Sequence, residues 1–143
     1  MNARTLETSA DLKQLLTEAK SIAIVGLSEK PERDSHSISK YLQAHGYKIV
    51  GVNPTAKSIL GEPCYPSLSA IPEDVLRTIR FVAVFRRAED VPAIIEEVKK
   101  LGLRTIWLPP GSSSEAALAA AAHHNAEVVS DKCLRVVHSS VFH

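Results

Sequence analysis

The segment IAIVGLSEKPERDS, residues 22–35, decides the fold class of this chain. It opens with an unbroken apolar run, turns at Gly26, and leads into a helical stripe formed by Ile38, Tyr41 and Leu42. A short run that is apolar on both faces is typical of a strand buried within a parallel sheet. The segment therefore predicts a buried strand that is followed, after one loop, by a helix.

The same alternation recurs along the chain. Further apolar runs occupy residues 49–52, 81–85, 106–108 and 128–129, and helical stripes cover residues 12–19, 91–101 and about 112–124, the last opened by Ser112. Strands and helices in alternation predict right-handed crossovers and a sheet covered by helices on both faces. We expect an α/β fold, a Rossmann-like doubly wound parallel sheet of about five strands, in a single domain spanning residues 1–143.

The composition is that of a globular protein with nearly balanced charge. Hydrophobic residues make up 45% of the sequence. The chain has 17 basic and 16 acidic residues, which gives a formal net charge of +1. General nucleic-acid and membrane-surface binders usually carry a strong basic excess, so neither kind of partner is expected. The 2 cysteines are too few for a disulfide scaffold. The chain shows neither a signal-peptide pattern nor a membrane-length apolar run, which predicts a cytoplasmic location.

The loop after the first predicted strand has the chemistry of a phosphate-binding loop. In open parallel sheets, ligands bind beyond the carboxyl ends of the strands. Gly26 permits close backbone approach, Ser28 and Ser35 supply hydroxyls, and Arg33 supplies a bidentate donor. The helix that begins near Ser35 would offer unpaired amides to an anion. The alternative interpretation is that Gly and Ser serve only the turn.

The ribose end of the predicted crevice lacks the features of an NAD enzyme. Only Gly26 of the three-glycine dinucleotide fingerprint is present. The second strand ends in Val52-Asn53-Pro54, where an NAD enzyme usually carries an acid for the ribose hydroxyls, and Lys57 follows. This arrangement suits an additional phosphate, which NADP or coenzyme A (CoA), with its 3′-phosphate, would supply.

Two later loops extend the predicted site. The third strand runs into Phe85-Arg86-Arg87, and neighbouring side chains of extended backbone point in opposite directions. We therefore expect Arg86 or Arg87 to reach the ligand, without a choice between them. After the fourth strand, Gly111 lies before a helix start, where ligand contact and a rigid turn are equally consistent with the sequence.

Taken together, these segments resemble the small stand-alone CoA-binding proteins. The resemblance extends from Ser21 to His138 and includes the motifs Val25-Gly26-Leu27-Ser28, Val52-Asn53-Pro54, Cys64-Tyr65-Pro66 and Phe85-Arg86-Arg87. That family is similar in fold to the nucleotide-binding domain of the succinyl-CoA synthetase alpha subunit. The resemblance implies CoA as the ligand, with the first loop at its phosphates and residues 52–54 at its adenosine. The predicted CoA-binding residues are Gly26, Leu27, Ser28, Arg33, Ser35, Val52, Asn53, Pro54, Lys57, Phe85, Arg86, Arg87 and Gly111.

The sequence offers no assembled catalytic set. The histidines His36, His45, His123, His124, His138 and His143 show no metal-ligand spacing, and no nucleophile elbow is present. Cys133 follows the last strand, where it would either pack or form a mixed disulfide with CoA. We expect a module that binds CoA or acyl-CoA without chemistry of its own. The alternatives are a subunit or enzyme acting on a CoA thioester, with a protein partner that stays open, and an NADP-type nucleotide binder.

Overall fold

Strands and helices alternate along the chain in the computed structural model, which describes residues 4–142. The strands are β1 (Arg4–Thr5), β2 (Ser21–Val25), β3 (Lys48–Val52), β4 (Ser58–Ile59), β5 (Glu62–Tyr65), β6 (Ile79–Val84), β7 (Thr105–Leu108) and β8 (Glu127–Ser130). The α-helices are α1 (Ser9–Glu18), α2 (Asp34–Ala44), α3 (Glu73–Leu76), α4 (Val91–Lys100), α5 (Glu115–His123) and α6 (Leu134–Val141). Short 3₁₀ turns cover Leu68–Ala70 and Ala88–Asp90.

The strands form one sheet in the order β1-β8-β7-β6-β2-β3-β5-β4. All neighbouring pairs are parallel except β4 with β5, which is antiparallel. The α/β class and the parallel sheet are confirmed, but the predicted number of strands is wrong, because the described residues form 8 and not about five. The missed strands lie toward the edges and lack apolar runs: β1 and β4 have 2 residues each, and β5 contains Pro63.

Both faces of the sheet are buried beneath helices. In β2, Ala23 and Val25 face a core completed by α4 and α5, whereas Ile22 and Ile24 face a second core completed by α1, α2 and α6. Alternate residues of a strand point to opposite faces, so a strand with helices on both sides must be apolar throughout. The unbroken apolar runs therefore mark the central strands.

Single polar side chains cap the amino ends of α1 and α5. Thr8 caps α1 as its hydroxyl accepts a hydrogen bond from the Asp11 amide at 3.0 Å. The expectation that Ser112 opens α5 is wrong, because Ser114 is the capping residue and accepts from the amide of Ala117 at 3.0 Å. Ser112 is instead buried and donates its hydroxyl proton to the carbonyl oxygen of Arg86.

The order of the strands determines where a crevice opens. β3 lies next to β2 on one side within the sheet. The chain then crosses over and forms β6 on the other side of β2. The loops that follow β2 and β6 therefore leave the sheet in different directions, and a crevice forms between them at the carboxyl ends. Within residues 4–142, no helix is both long and apolar enough to cross a membrane.

Candidate functional site

A cavity of about 750 Å³ lies beyond the carboxyl ends of β2, β6 and β7. Its volume falls within the range of small-molecule and cofactor sites. The lining residues come from the three loops that follow these strands and from the first turn of α2: Gly26, Ser28, Lys30, Glu32, Arg33, Asp34, Ser35, Phe85, Arg86, Arg87, Pro109, Pro110, Gly111 and Ser112. The strand switch point is thus also the place where the predicted loops meet.

Gly26 brings the first two loops into close contact. Its φ of +85° lies in the region that favours glycine, and a Cβ placed there would collide with the carbonyl oxygen of Phe85. That Cβ would also lie 3.2 Å from Cδ of Arg86. The stem of the Arg86 side chain therefore passes beside Gly26, and any larger residue at position 26 would separate the two loops.

Two serine hydroxyls shape the first loop. The amide of Ser28 donates to Oγ of Ser35 at 2.9 Å, and the amide of Lys30 donates to Oγ of Ser28 at 3.1 Å. Ser35 is 5% exposed, so its hydroxyl lies at the floor of the loop. The predicted serines are thus brought together, and they have a structural role that the turn interpretation anticipated.

The amino terminus of α2 supplies positive potential to the cavity. Arg33 precedes the first helical residue without a side-chain capping hydrogen bond, and both Arg33 and Lys30 line the cavity. The first amides of a helix have no intrahelical acceptor and attract anions. Glu32 and Asp34 line the same cavity, so the wall of this loop carries both signs of charge.

The loop after β6 carries two arginines that share one acidic partner. Nη2 of Arg86 lies 3.1 Å from Oδ2 of Asp90, and Nε of Arg87 lies 3.7 Å from the same oxygen and 3.4 Å from Glu89. The Arg86 side chain is 45% exposed and that of Arg87 is 76% exposed. Both line the cavity, and Arg86 is the more enclosed of the two.

The predicted adenosine segment lies outside the lining residues of the cavity. Nδ2 of Asn53 donates to the carbonyl oxygen of Leu27 at 2.9 Å, while its Oδ1 accepts from the amides of Thr55 and Ala56. Leu27 and Val52 are buried in the core, whereas Pro54 and Lys57 are exposed. Asn53 therefore fixes the turn after β3 against the first loop, immediately beside the crevice.

Sequence reasoning missed several lining residues. Lys30, Glu32, Asp34, Pro109, Pro110 and Ser112 line the cavity but were not in the predicted set. All of them belong to the same post-strand loops except Asp34, which begins α2, so the position of a residue in or next to such a loop was the available signal. What the sequence could not show was which side chains of each loop turn inward.

The two cysteines are free and lie away from the lining of the crevice. A Cβ on Gly51 would lie 2.8 Å from Sγ of Cys64, which places this thiol against the backbone of β3. Burial, and to a smaller extent the charge of Glu29, raises the pKa of Cys64. Cys133 precedes α6 and lines a separate groove with Leu12 and Val136.

A second group of titratable side chains lies at the amino ends of the strands, opposite the crevice. Burial, and then His45, lowers the pKa of His138, and burial, with a smaller effect of Tyr41, raises the pKa of Tyr47. Both residues line a cavity at the amino ends of β2 and β3. Among residues 4–142, no group of three or more His, Cys, Asp or Glu side chains is arranged to hold a metal ion.

Comparisons with known proteins identify the family of the chain. The family model "CoA binding domain" matches residues 20–139. "Uncharacterized protein YneT" of Bacillus subtilis is 37% identical over 132 residues, which cover 92% of this chain and 95% of that protein. A "hypothetical protein from Pyrococcus horikoshii OT3" superposes with a TM-score of 0.88 at 31% identity and covers 100% of this chain and 99% of its own.

A more distant similarity concerns part of a larger enzyme. "Acetate--CoA ligase [ADP-forming] I" of Archaeoglobus fulgidus is 37% identical over 78 residues, which cover 54% of this chain and 11% of the ligase. The chain therefore corresponds to only a small part of that ligase. The family model spans most of the chain, and the similarity to YneT extends over nearly the whole of both proteins. The chain belongs to the CoA-binding domain family.

Proposed function

We propose that the chain binds CoA or an acyl-CoA in the crevice at the strand switch point and carries out no chemistry of its own. The observation that carries this proposal is the convergence of Arg33, Arg86 and the amino terminus of α2 on one cavity in a member of the CoA-binding domain family. Guanidinium groups and helix amides are the donors that phosphates prefer.

The arrangement of the loops suggests an orientation for the ligand. The pyrophosphate would lie beside Gly26, in the part of the cavity that Ser28 and Ser35 line. The adenosine would extend past Asn53 and Pro54, with Lys57 near the 3′-phosphate. Asn53 supports this orientation because its side chain bonds to the carbonyl oxygen of Leu27 and so fixes the distance between the two segments.

The side chains that line the crevice have the character of ligand contacts. Arg33, Arg86 and Arg87 supply guanidinium groups that stay charged and only donate hydrogen bonds. Among residues 4–142, the lining includes no histidine, cysteine or tyrosine. This composition supports binding in preference to catalysis.

A second candidate function follows from the similarity to acetate–CoA ligase. A chain that matches 11% of a ligase corresponds to one part of a larger assembly. On this alternative, the module would present a CoA thioester to a partner chain that supplies the remaining chemistry. An NADP-type ligand is the other alternative, and the exposed Lys57 is the feature that favours it.

Isothermal titration with CoA, dephospho-CoA, NADPH and NADH tests the proposal directly. We expect CoA to bind most tightly, dephospho-CoA to bind more weakly, and both nicotinamide nucleotides to bind at least tenfold more weakly than CoA. Tighter binding of NADPH than of CoA would contradict the proposal and support the nucleotide alternative. Release of free CoA thiol from acetyl-CoA by the purified chain would contradict the absence of chemistry.

A further inference from the structure

We infer that Ser112 is a positioning residue of the crevice, because its hydroxyl fixes the main chain of Arg86 and so directs the Arg86 guanidinium toward a phosphate of the ligand. This inference rests on the proposed function, since it takes CoA as the ligand of the same site. Ser112 lies in the loop after β7 and Arg86 in the loop after β6, and both residues line the cavity. The contact between them joins two of the three loops that form the crevice.

The hydroxyl of Ser112 is buried and bonded across the crevice loops. Ser112 is 4% exposed, although Pro110 and Gly111 before it are exposed. Burial of a hydroxyl costs free energy unless the hydroxyl forms a hydrogen bond. Here it donates to the main-chain carbonyl oxygen of Arg86, 26 positions earlier in the chain. The bond therefore connects two segments that are distant in sequence.

Local structure does not account for this hydroxyl. The main chain closes the turn of the loop, since the amide of Ser112 donates to the carbonyl oxygen of Pro109 at 3.1 Å. Ser114 caps the amino end of α5, because its hydroxyl accepts from the amide of Ala117. Alanine at position 112 would leave both features intact and would remove this donor from the carbonyl oxygen of Arg86.

The main chain at Arg86 is held from both neighbouring loops. Arg86 follows β6 and precedes the second 3₁₀ turn, so no helix or strand sets its dihedral angles. On its amino side, the amide of Phe85 donates to the carbonyl oxygen of Val25 at 2.8 Å, and the carbonyl oxygen of Phe85 packs against Gly26. On its carboxyl side, the carbonyl oxygen of Arg86 accepts from Ser112. These contacts fix the peptide units on either side of the Arg86 Cα, and such support holds a binding side chain in its productive orientation.

The side chain of Arg86 carries this main-chain position over to a charge. A Cβ on Gly26 would lie 3.2 Å from Cδ of Arg86, and Nη2 of Arg86 lies 3.1 Å from Oδ2 of Asp90. The side chain therefore runs past Gly26 to Asp90, from a main chain that Ser112 holds. A guanidinium binds phosphate through a planar fork of parallel N–H groups, so its orientation matters. Loss of the Ser112 bond would allow the fork to turn away from the phosphate.

The test is a double-mutant cycle, measured by calorimetric titration of the full chain with CoA. Ser112→Ala should weaken CoA binding by about two- to tenfold, which is the effect of one hydrogen bond. Arg86→Ala removes the side chain through which Ser112 acts. In the Arg86→Ala background, Ser112→Ala should therefore cause no further loss of affinity. A role of Ser112 in the fold alone would produce the same loss in both backgrounds.

The matched control is the neighbouring Ser113. Its hydroxyl lies 2.5 Å from that of Ser130 at the end of β8, and Ser113 lies outside the lining of the crevice. Ser113→Ala thus removes a hydroxyl contact from the same loop and leaves the bond between Ser112 and Arg86 in place. This variant should bind CoA like the wild type.

Chemical denaturation of both serine variants measures the stability that each loses, so a loss of folding is not mistaken for a loss of affinity. If Ser112→Ala does not fold, Ser112→Cys takes its place, since a thiol nearly keeps the volume of the hydroxyl and is only a weak donor. The expected result is the same, with weaker CoA binding in the wild-type background and no further loss in the Arg86→Ala background.

The outcomes separate this inference from the proposed function. If the wild type binds CoA, wild-type affinity in the Ser112 variant or in Arg86→Ala would overturn the inference and leave CoA binding in place. An equal loss in both backgrounds, or an equal loss in Ser113→Ala, would overturn it as well. If the wild type does not bind CoA, the proposed function is wrong and the inference is wrong with it.

Discussion

Asp90 holds Arg86 at the rim of the crevice, with 3.1 Å between Oδ2 of the carboxylate and Nη2 of the guanidinium. The same oxygen lies 3.7 Å from Nε of Arg87, so one acidic side chain serves both cations. A phosphate that reaches Arg86 must compete with this carboxylate. The carboxylate of Asp90 would therefore compete with an anionic ligand for Arg86.

Asp90→Asn should bind CoA more tightly than the wild type. Exposed ion pairs contribute about 0.2–1 kcal/mol, so removing the competing charge should raise affinity by up to about fivefold. Calorimetry at low salt measures the change. The control is Glu73→Gln, which removes the partner of Arg77 in an exposed pair of similar length, 3.2 Å, on α3. Equal affinities for Asp90→Asn and the wild type would exclude competition by this carboxylate.

Arg33→Ala and Arg86→Ala should each weaken CoA binding by about ten- to a hundredfold, since hydrogen bonds to charged groups contribute about 1.5–3 kcal/mol. Arg87→Ala should have a smaller effect because its side chain is 76% exposed. Arg135→Ala, an exposed cation on α6, serves as the control for net charge. A larger loss for Arg87→Ala than for Arg86→Ala would reverse their assignment.

Gly26→Ala should lose both stability and CoA affinity. A left-handed backbone costs a residue with a Cβ about 1–2 kcal/mol, and here the added carbon would also collide with the carbonyl oxygen of Phe85. Gly46→Ala isolates the first effect, because its φ is +93° but nothing lies within 4 Å of an added Cβ. Chemical denaturation should show a greater loss for Gly26→Ala, and titration should show lost CoA binding only there.

Lys57→Ala should weaken CoA and leave dephospho-CoA nearly unchanged. The physical reason is that only CoA carries the 3′-phosphate, and Lys57 follows the turn proposed to lie at the adenosine. Parallel titrations of both ligands give the ratio of the two affinities, which should fall toward one in the variant. A similar loss for both ligands would move Lys57 to the pyrophosphate or to a structural role.

Alkylation of Cys64 should be slow in the folded chain. Because burial raises the pKa of this thiol, less thiolate is present at pH 8 than in a free cysteine, and only the thiolate reacts. In the Cys133→Ser variant, the rate should reach half its maximum at a higher pH than for the denatured chain. The sign follows from the raised pKa, since the folded state holds its proton to higher pH. A midpoint below that of the denatured chain would contradict the prediction.

The central strands and the post-strand loops were predictable from the sequence. Runs such as residues 22–25 and 81–84 are apolar throughout because each strand is buried on both faces. This pattern can be read within the segment itself, without knowledge of its neighbours in the fold. Gly26 was predictable for a related reason, since a close turn at the end of such a strand requires a residue without a Cβ. The family resemblance also rested on these local segments.

Tertiary structure decided which distant groups meet. The edge strands β1 and β4 exist only through their pairing with β8 and β5, so two-residue segments without an apolar run carry no local signal. The enclosure of Arg86 beside Gly26 depends on the contact between two loops that follow different strands. Tyr41 and His138, 97 positions apart, meet because α2 and α6 pack on the same face of the sheet. Such contacts depend on three-dimensional packing, and periodicity along one chain does not encode them.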